Sequence, residues 1–346
     1  MHILARTLQL PQPGILMAYQ KLRIMRVGSN GILFIVMNGQ RTNERIEPKR
    51  KISSEEKKVK VSRRNFFKSL GGLAIASGLS HLTSGESAEA SESKPIGKGK
   101  VGITWMGHGS FLFTSIKGQN ILIDPWIKTN PKCPVKFNET GIFGSVNLIL
   151  WTHGHVDHFM LPDAKKLVAE YQPKIVAPWE LSFFIKAQIP EANCQTFALA
   201  NKGATANFDD IKITMTEAFH SAGAQLTGFE GVNRFVGEAA GYIIEFENGL
   251  KIYHAGDTSL MSDMKYIIGD YYKPDVAILP IGGVFTMGPK EAAFACKLIR
   301  PKYAIPQHYG TFPVLAQSAD KFIKETKKYA PKTKMLVINP GEEIKI

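Results

Sequence analysis

Three imidazoles and a carboxylate fall within the six residues His153-Gly154-His155-Val156-Asp157-His158, directly after the apolar stretch Val146-Asn147-Leu148-Ile149-Leu150-Trp151. The apolar stretch reads as a buried strand, so the fold must hold this polar loop at a strand end. Imidazole and carboxylate are the usual ligands of borderline cations such as zinc, and a loop fixed in this way can aim several at one point. His153 and His155 are two residues apart and can point the same way from an extended segment. Asp157 and His158 follow one residue later and can turn towards a second point beside the first. A mononuclear site needs only one of those pairs, so the spacing reads as two metals. The bland alternative is a solvated His-rich loop, which would need no polar company elsewhere in the chain.

Such company exists. The chain has nine histidines. His2 and His81 lie in a front region expected to be removed, which leaves His108, His220, His254 and His308 outside the cluster. His220 follows the alternating run Ile211-Lys212-Ile213-Thr214-Met215, and His308 ends the short apolar run that begins at Tyr303. Asp257 follows Ile252-Tyr253-His254-Ala255-Gly256, a strand that breaks at glycine. Each polar residue therefore stands at the end of an expected strand, where layered α/β folds build ligand sites. The chain has no G-x-S-x-G for a serine nucleophile. The Gly282-Gly283 pair lacks the spacing of a phosphate cradle and reads as a turn bringing Phe285, Thr286 and Met287 over the metals.

The pattern H-x-H-x-D-H, then a lone His, a Gly-Asp and a late His, resembles the metallo-β-lactamase superfamily over about residues 99 to 346. Gly107-His108-Gly109-Ser110-Phe111, Leu122-Ile123-Asp124-Pro125, His254-Ala255-Gly256-Asp257-Thr258 and Pro306-Gln307-His308-Tyr309 resemble more narrowly a branch of metal-dependent hydrolases. That branch lies near the ascorbate-phosphate lactonase type and, more distantly, the N-acylphosphatidylethanolamine phospholipases. The resemblance implies a four-layer αββα sandwich. It puts His153, His155 and His220 on one metal and Asp157, His158 and His308 on a second, with Asp257 bridging. Asp157 and His254 are its catalytic candidates. Asp124 would hydrogen-bond the far nitrogen of a ligand His. His108 and His254 would be outer-shell or substrate contacts, against a reading as structural histidines. Diiron flavoproteins of this fold usually carry a Glu where this chain has His155, which argues for hydrolytic chemistry.

The implied cofactors are two divalent ions, zinc first, with manganese or iron as alternatives. Two cations about 3.5–4 Å apart make a bridging water a hydroxide near neutral pH. The implied function is a dinuclear hydrolase acting with that hydroxide on a small ester, lactone or phosphodiester. A phospholipase D-like phosphodiesterase on a lipid headgroup and an inactive, vestigial metal-binding module are the alternatives.

The front of the chain carries an address. Ser62-Arg63-Arg64-Asn65-Phe66-Phe67-Lys68 resembles a twin-arginine export signal, followed by a weakly apolar stretch from Leu70 to Leu79 and an Ala88-Glu89-Ala90 cleavage site. Residues 62–90 are thus expected to be a signal peptide, its partner the twin-arginine export machinery and its destination the periplasm or another extracytoplasmic space. Residues 1–61 are an extension or a mis-assigned start, with translation beginning downstream, for instance at Met37. Residues 1–90 hold fifteen Lys+Arg against six Asp+Glu, or +9 of the formal +13. The remainder is near +4, so the basic character reports the leader, and no nucleic-acid partner is expected for the domain at 99–346. A small-molecule substrate is expected, and an oligomer is compatible with the sequence. Cys133, Cys194 and Cys296 are an odd number and suggest no disulfide framework.

Overall fold

The computed structural model describes residues 24–26, 33–35, 98–225 and 232–346. The chain divides into two compact units, Met1–Thr83 and Ser84–Ile346. In the first, β1 (Ile24–Arg26) pairs antiparallel with β2 (Leu33–Ile35). The twin-arginine segment and cleavage site expected at 62–90 lie outside the described residues.

The second unit contains two seven-stranded sheets. Sheet one runs in the order β18 (Glu343–Lys345), β3 (Gly102–Gly107), β4 (Ser110–Thr114), β5 (Asn120–Ile123), β6 (Leu148–Leu150), β7 (Lys174–Val176) and β8 (Asn193–Cys194). Sheet two runs in the order β17 (Lys334–Met335), β16 (Tyr303–Gln307), β15 (Val276–Pro280), β14 (Lys251–His254), β13 (Ala240–Glu245), β10 (Ile211–Glu217) and β9 (Thr205–Phe208). A two-stranded ribbon joins β11 (Ala224–Gln225) to β12 (Asn233–Arg234).

The pleat sorts the strand residues into layers, because successive side chains point to opposite faces. Ile121, Ile123, Leu148 and Leu150 join Ile213, Met215, Tyr242 and Ile244 in one core between the sheets. Their neighbours Leu122 and Ile149 turn the other way and pack with Ala164, Leu167 and Val168 of α1 (Leu161–Tyr171) and with Leu181 and Ile185 of α2 (Trp179–Gln188). On sheet two, Ala292, Ala295 and Cys296 of α3 (Pro289–Ile299) and Phe322 of α4 (Asp320–Tyr329) supply the outer apolar layer. The result is the αββα sandwich expected from the sequence. Each fully buried Ile, Leu or Phe contributes about 1.5–3 kcal/mol.

Strand direction decides where the polar residues go. β5 and β6 are parallel, and β3 shares their direction through two antiparallel pairings with β4. By the same count β10 runs parallel to β14, which runs parallel to β15 and β16. Within each sheet, the strands that precede polar motifs therefore end on one edge. Two elements go beyond the sequence expectation: the π-helix Met264–Tyr272, and β18, whose pairing with β3 brings the C-terminal segment into sheet one.

Candidate metal centre

His108 follows β3, Asp124 follows β5, and the 152–158 loop follows β6. From the opposite sheet, His220 follows β10, Asp257 follows β14 and His308 follows β16. These ends converge. His155 Nδ1 lies 3.0 Å from His153 Nε2 and 3.2 Å from His220 Nε2, forming one cluster of three imidazoles. His108, Asp157, His158 and His308 form a second group with donor atoms within 4.8 Å of one another. Asp257 stands between them: its Oδ2 is 3.0 Å from His308 Nε2, 3.3 Å from His158 Nε2 and 3.5 Å from His220 Nε2. All seven residues expected as ligands are thus brought to one place.

Asp124 and Thr152 orient one ring of each group. Asp124 is fully buried and takes the Thr152 backbone N–H on Oδ1 at 2.7 Å. Its Oδ2 accepts from the Thr152 hydroxyl at 2.6 Å and from His158 Nδ1 at 2.8 Å. A carboxylate only accepts, so the Thr152 hydroxyl spends its proton there and takes the Nδ1–H of His153 at 2.9 Å. Both rings then carry their proton on the outer side, and a neutral ring in that tautomer has a bare Nε2 towards the centre.

Charge follows burial. Burial holds His153 well below the usual imidazole range and also lowers His155 and His220, helped by the positive charge on His158. His158 is the exception. Burial disfavours its charge, but Asp257 and Asp124 on either side outweigh that and raise it well above the usual value. Burial would likewise raise Asp157, yet the hydrogen bond from His108 and the charge of His158 keep it well below the carboxylate range. The same contest, won by His158 and His308, keeps Asp257 ionised.

Two glycines make room for these rings. A Cβ on Gly109 would lie 2.6 Å from His158 Cε1, and one on Gly282 would lie 2.2 Å from the His308 carbonyl oxygen. Gly282 abuts His308, and Met287 is buried in the core with its N–H on Thr258 O, while Phe285 is exposed. His254, a catalytic candidate in the sequence, stands outside both groups. It is fully buried against the Phe111 ring, and its Nδ1 accepts the Gly256 N–H at 3.2 Å.

Sequence reasoning missed Thr152 and Thr311. Thr152 had a signal, since it opens the cluster at the end of β6. Thr311 had none. Its hydroxyl lies 2.9 Å from Nδ1 of His108, 203 positions away in the chain.

The donor set fits divalent cations. Nitrogens around a tetrahedral zinc lie about 3.3 Å apart when each bond is about 2.05 Å, close to the 3.0 and 3.2 Å observed. His158 Nε2 and Asp257 Oδ1 are buried without a hydrogen-bond partner. Such orphans are costly unless something else satisfies them.

This fold, with imidazoles and carboxylates collected at the strand ends, defines a metal-dependent hydrolase of the metallo-β-lactamase type. Residues 102–308 match the family described as "Beta-lactamase superfamily domain". The chain is 41% identical over 245 residues to a "UPF0173 metal-dependent hydrolase" of Chloroflexus aurantiacus, covering 70% of this chain and 97% of that protein. It is 40% identical over 240 residues to a protein of the same description from Methanobrevibacter smithii, covering 69% and 95%. Among solved structures, Igni18, a metallo hydrolase of Ignicoccus hospitalis, is similar with a TM-score of 0.58 and 32% identity, covering 71% of this chain and 98% of that one. The chain belongs to the UPF0173 metal-dependent hydrolase family of the metallo-β-lactamase superfamily.

Proposed function

We propose that the site holds two divalent cations, zinc first, and hydrolyses a small ester, lactone or phosphodiester. His153, His155 and His220 would hold one ion, and Asp157, His158 and His308 the other, with Asp257 shared. The observation that carries this reading is the position of Asp257 Oδ2, within 3.5 Å of ring nitrogens from both groups. A single structural ion needs one closed set of four ligands, and seven converging donors exceed that. Bound there, two such ions supply Lewis acidity and a nucleophilic hydroxide near neutral pH.

The chain's own residues provide the rest. Asp124 and Thr152 keep Nε2 of His153 and His158 facing inwards. Asp157 is the remaining catalytic candidate, about one quarter exposed and so reachable by water and substrate. His254, buried behind the site, supports it as packing.

The reading is tested by a screen of p-nitrophenyl esters, lactones and bis(p-nitrophenyl) phosphate with the wild type and Asp257→Ala. Activity on one class, reduced by several orders of magnitude in the variant, supports it. Equal rates in both proteins would sink it.

We further propose that the hydrolase is exported by the twin-arginine machinery and works outside the cytoplasmic membrane. The order Arg63-Arg64, weakly apolar stretch, Ala88-Glu89-Ala90 supports this. That route carries folded proteins, so the ions could be loaded before export.

A further inference from the structure

Sheet two presents its donors on loops without charge. His220, Asp257 and His308 follow β10, β14 and β16, and Gly282, which abuts His308, follows β15. The segments 218–223, 281–288 and 309–319 contain no Lys, Arg, Asp or Glu, although 21% of the chain is charged. Their most exposed large side chains are apolar instead: Phe219, Val284, Phe285 and Val314 are each more than half exposed. From sheet one, Val156 stands between His155 and Asp157 and is exposed as well. One exposed apolar residue is ordinary. Five on the loops that carry or abut the donors of one site mark a binding surface.

Backbone hydrogen bonds lace these loops together beside the donors. Thr258, next to Asp257, takes the Phe219 N–H on its hydroxyl and the Met287 N–H on its carbonyl, each at 3.0 Å. The Gly283 N–H donates to Met287 O at 3.0 Å and closes the turn that carries Val284 and Phe285. Ala316 N–H donates to Gly282 O at 2.9 Å, and Gly310 N–H to Ala316 O at 2.8 Å, so the loop bearing Val314 is tied to the same turn. Val284 has φ of 58°, a left-handed conformation that a β-branched residue rarely adopts. The turn thus keeps an apolar side chain in water at a conformational cost, and such strain gathers at ligand sites.

We propose that the substrate carries an uncharged alkyl arm on its scissile group, and that this arm lies on Phe219, Val284, Phe285 and Val314 while the reacting group sits at the metal centre. The occupant follows from position. An arm that leaves the centre towards sheet two crosses these loops, and none of the three segments offers a charge to a polar one. The inference rests on the metal-centre reading above and narrows it to substrates that are apolar on this side.

The test is calorimetry on the zinc-loaded full chain with methyl-, propyl- and hexylphosphonate, which share one zinc-binding head and differ only in tail length. Full burial of a methylene is worth about four-fold in affinity, and half-exposed side chains cover roughly one side of a tail, so about two-fold per methylene is expected. Hexylphosphonate should therefore bind about 30-fold more tightly than methylphosphonate. In Phe285→Ser with Val314→Ser that gain should fall to within about five-fold, with methylphosphonate affinity and zinc content unchanged. Each substitution alone should remove part of it. Ile116→Ser, at an exposed apolar position in the β4–β5 turn at the opposite end of sheet one, should keep the full gain. Equal binding of all three phosphonates by the wild type overturns the proposal and leaves the metal reading standing, and a gain that survives the double variant overturns it too. Equal binding together with dimerisation on gel filtration, or with sedimentation on phosphatidylcholine vesicles, that the double variant abolishes would give the surface to a second copy or a membrane instead. If none of the phosphonates binds, the metal-centre reading fails and the proposal falls with it.

Discussion

Replacing Asp124 by Asn tests the inner wiring of the site with almost no change in volume. Asp124 Oδ1 accepts from Thr152 N, and Oδ2 accepts from both the Thr152 hydroxyl and His158 Nδ1. An Asn oxygen can replace Oδ1, but its NH₂ then faces two donors. Turning the amide over restores an acceptor for those two donors but sets NH₂ against the Thr152 backbone N–H, which cannot turn away. With the oxygen kept on the fixed backbone N–H, the relief is for His158 to surrender its Nδ1 proton and carry one on Nε2, facing Asp257. The Thr152 hydroxyl loses its acceptor as well, which frees its proton for His153 Nδ1 and reverses that ring too. One substitution thus turns the lone pair of a ring in each group away from the centre. Outer-shell changes of this kind cost about 10–100-fold in metal affinity, or about 1.4–2.7 kcal/mol. The weakening should reach both equivalents. Loss of a buried charge-assisted acceptor should also cost the metal-free protein about 1–3 kcal/mol. Chelator competition with zinc reads the first effect and thermal unfolding in EDTA the second. Zinc affinity within about three-fold of wild type for both equivalents would refute the reasoning.

Gly282→Ala places a Cβ 2.2 Å from the His308 carbonyl oxygen, so His308 must move; metal analysis should show loss of at least one equivalent while Gly118→Ala, with open space around it, should not. Because Asp257 and Asp124 hold a proton on His158, zinc must displace it, and affinity should rise about tenfold per pH unit through neutrality; calorimetry in buffers of different ionisation enthalpy should register the proton released. His254 is lowered by burial to about 4, so the unfolded chain binds the extra proton between about pH 4 and 6.5; this one group should add roughly 3 kcal/mol to metal-free stability as pH rises through that window. Arg63→Lys with Arg64→Lys keeps the charge but loses the planar fork, and should leave the chain unprocessed in the cytoplasm, whereas the wild type should begin near Ser91 by N-terminal sequencing.

The candidate donor residues could be located in the sequence because they sit at or just after the points where apolar strands stop. His153, His220, Asp257 and His308 all follow runs whose alternation or apolarity identifies a strand, and the sheets bring those ends together. Asp124 could be read for the same reason, although the ring it holds could not. Thr311 left no trace, since its partner lies on the first hairpin of the opposite sheet and the contact exists only after both sheets pack. His254 also ends a strand but lies outside both donor groups. Its side chain points into the layer between the sheets, against Phe111, and two more residues of turn are needed before Asp257 reaches the centre.

Metal content of the purified domain from Ala90 onward is the most direct measurement, taken on folded, metal-replete protein alongside the hydrolysis screen. Close to two equivalents of zinc, manganese or iron are expected, with activity lost on chelation and restored by the same ion. Zero or one equivalent in such a sample would contradict a dinuclear centre built on Asp257.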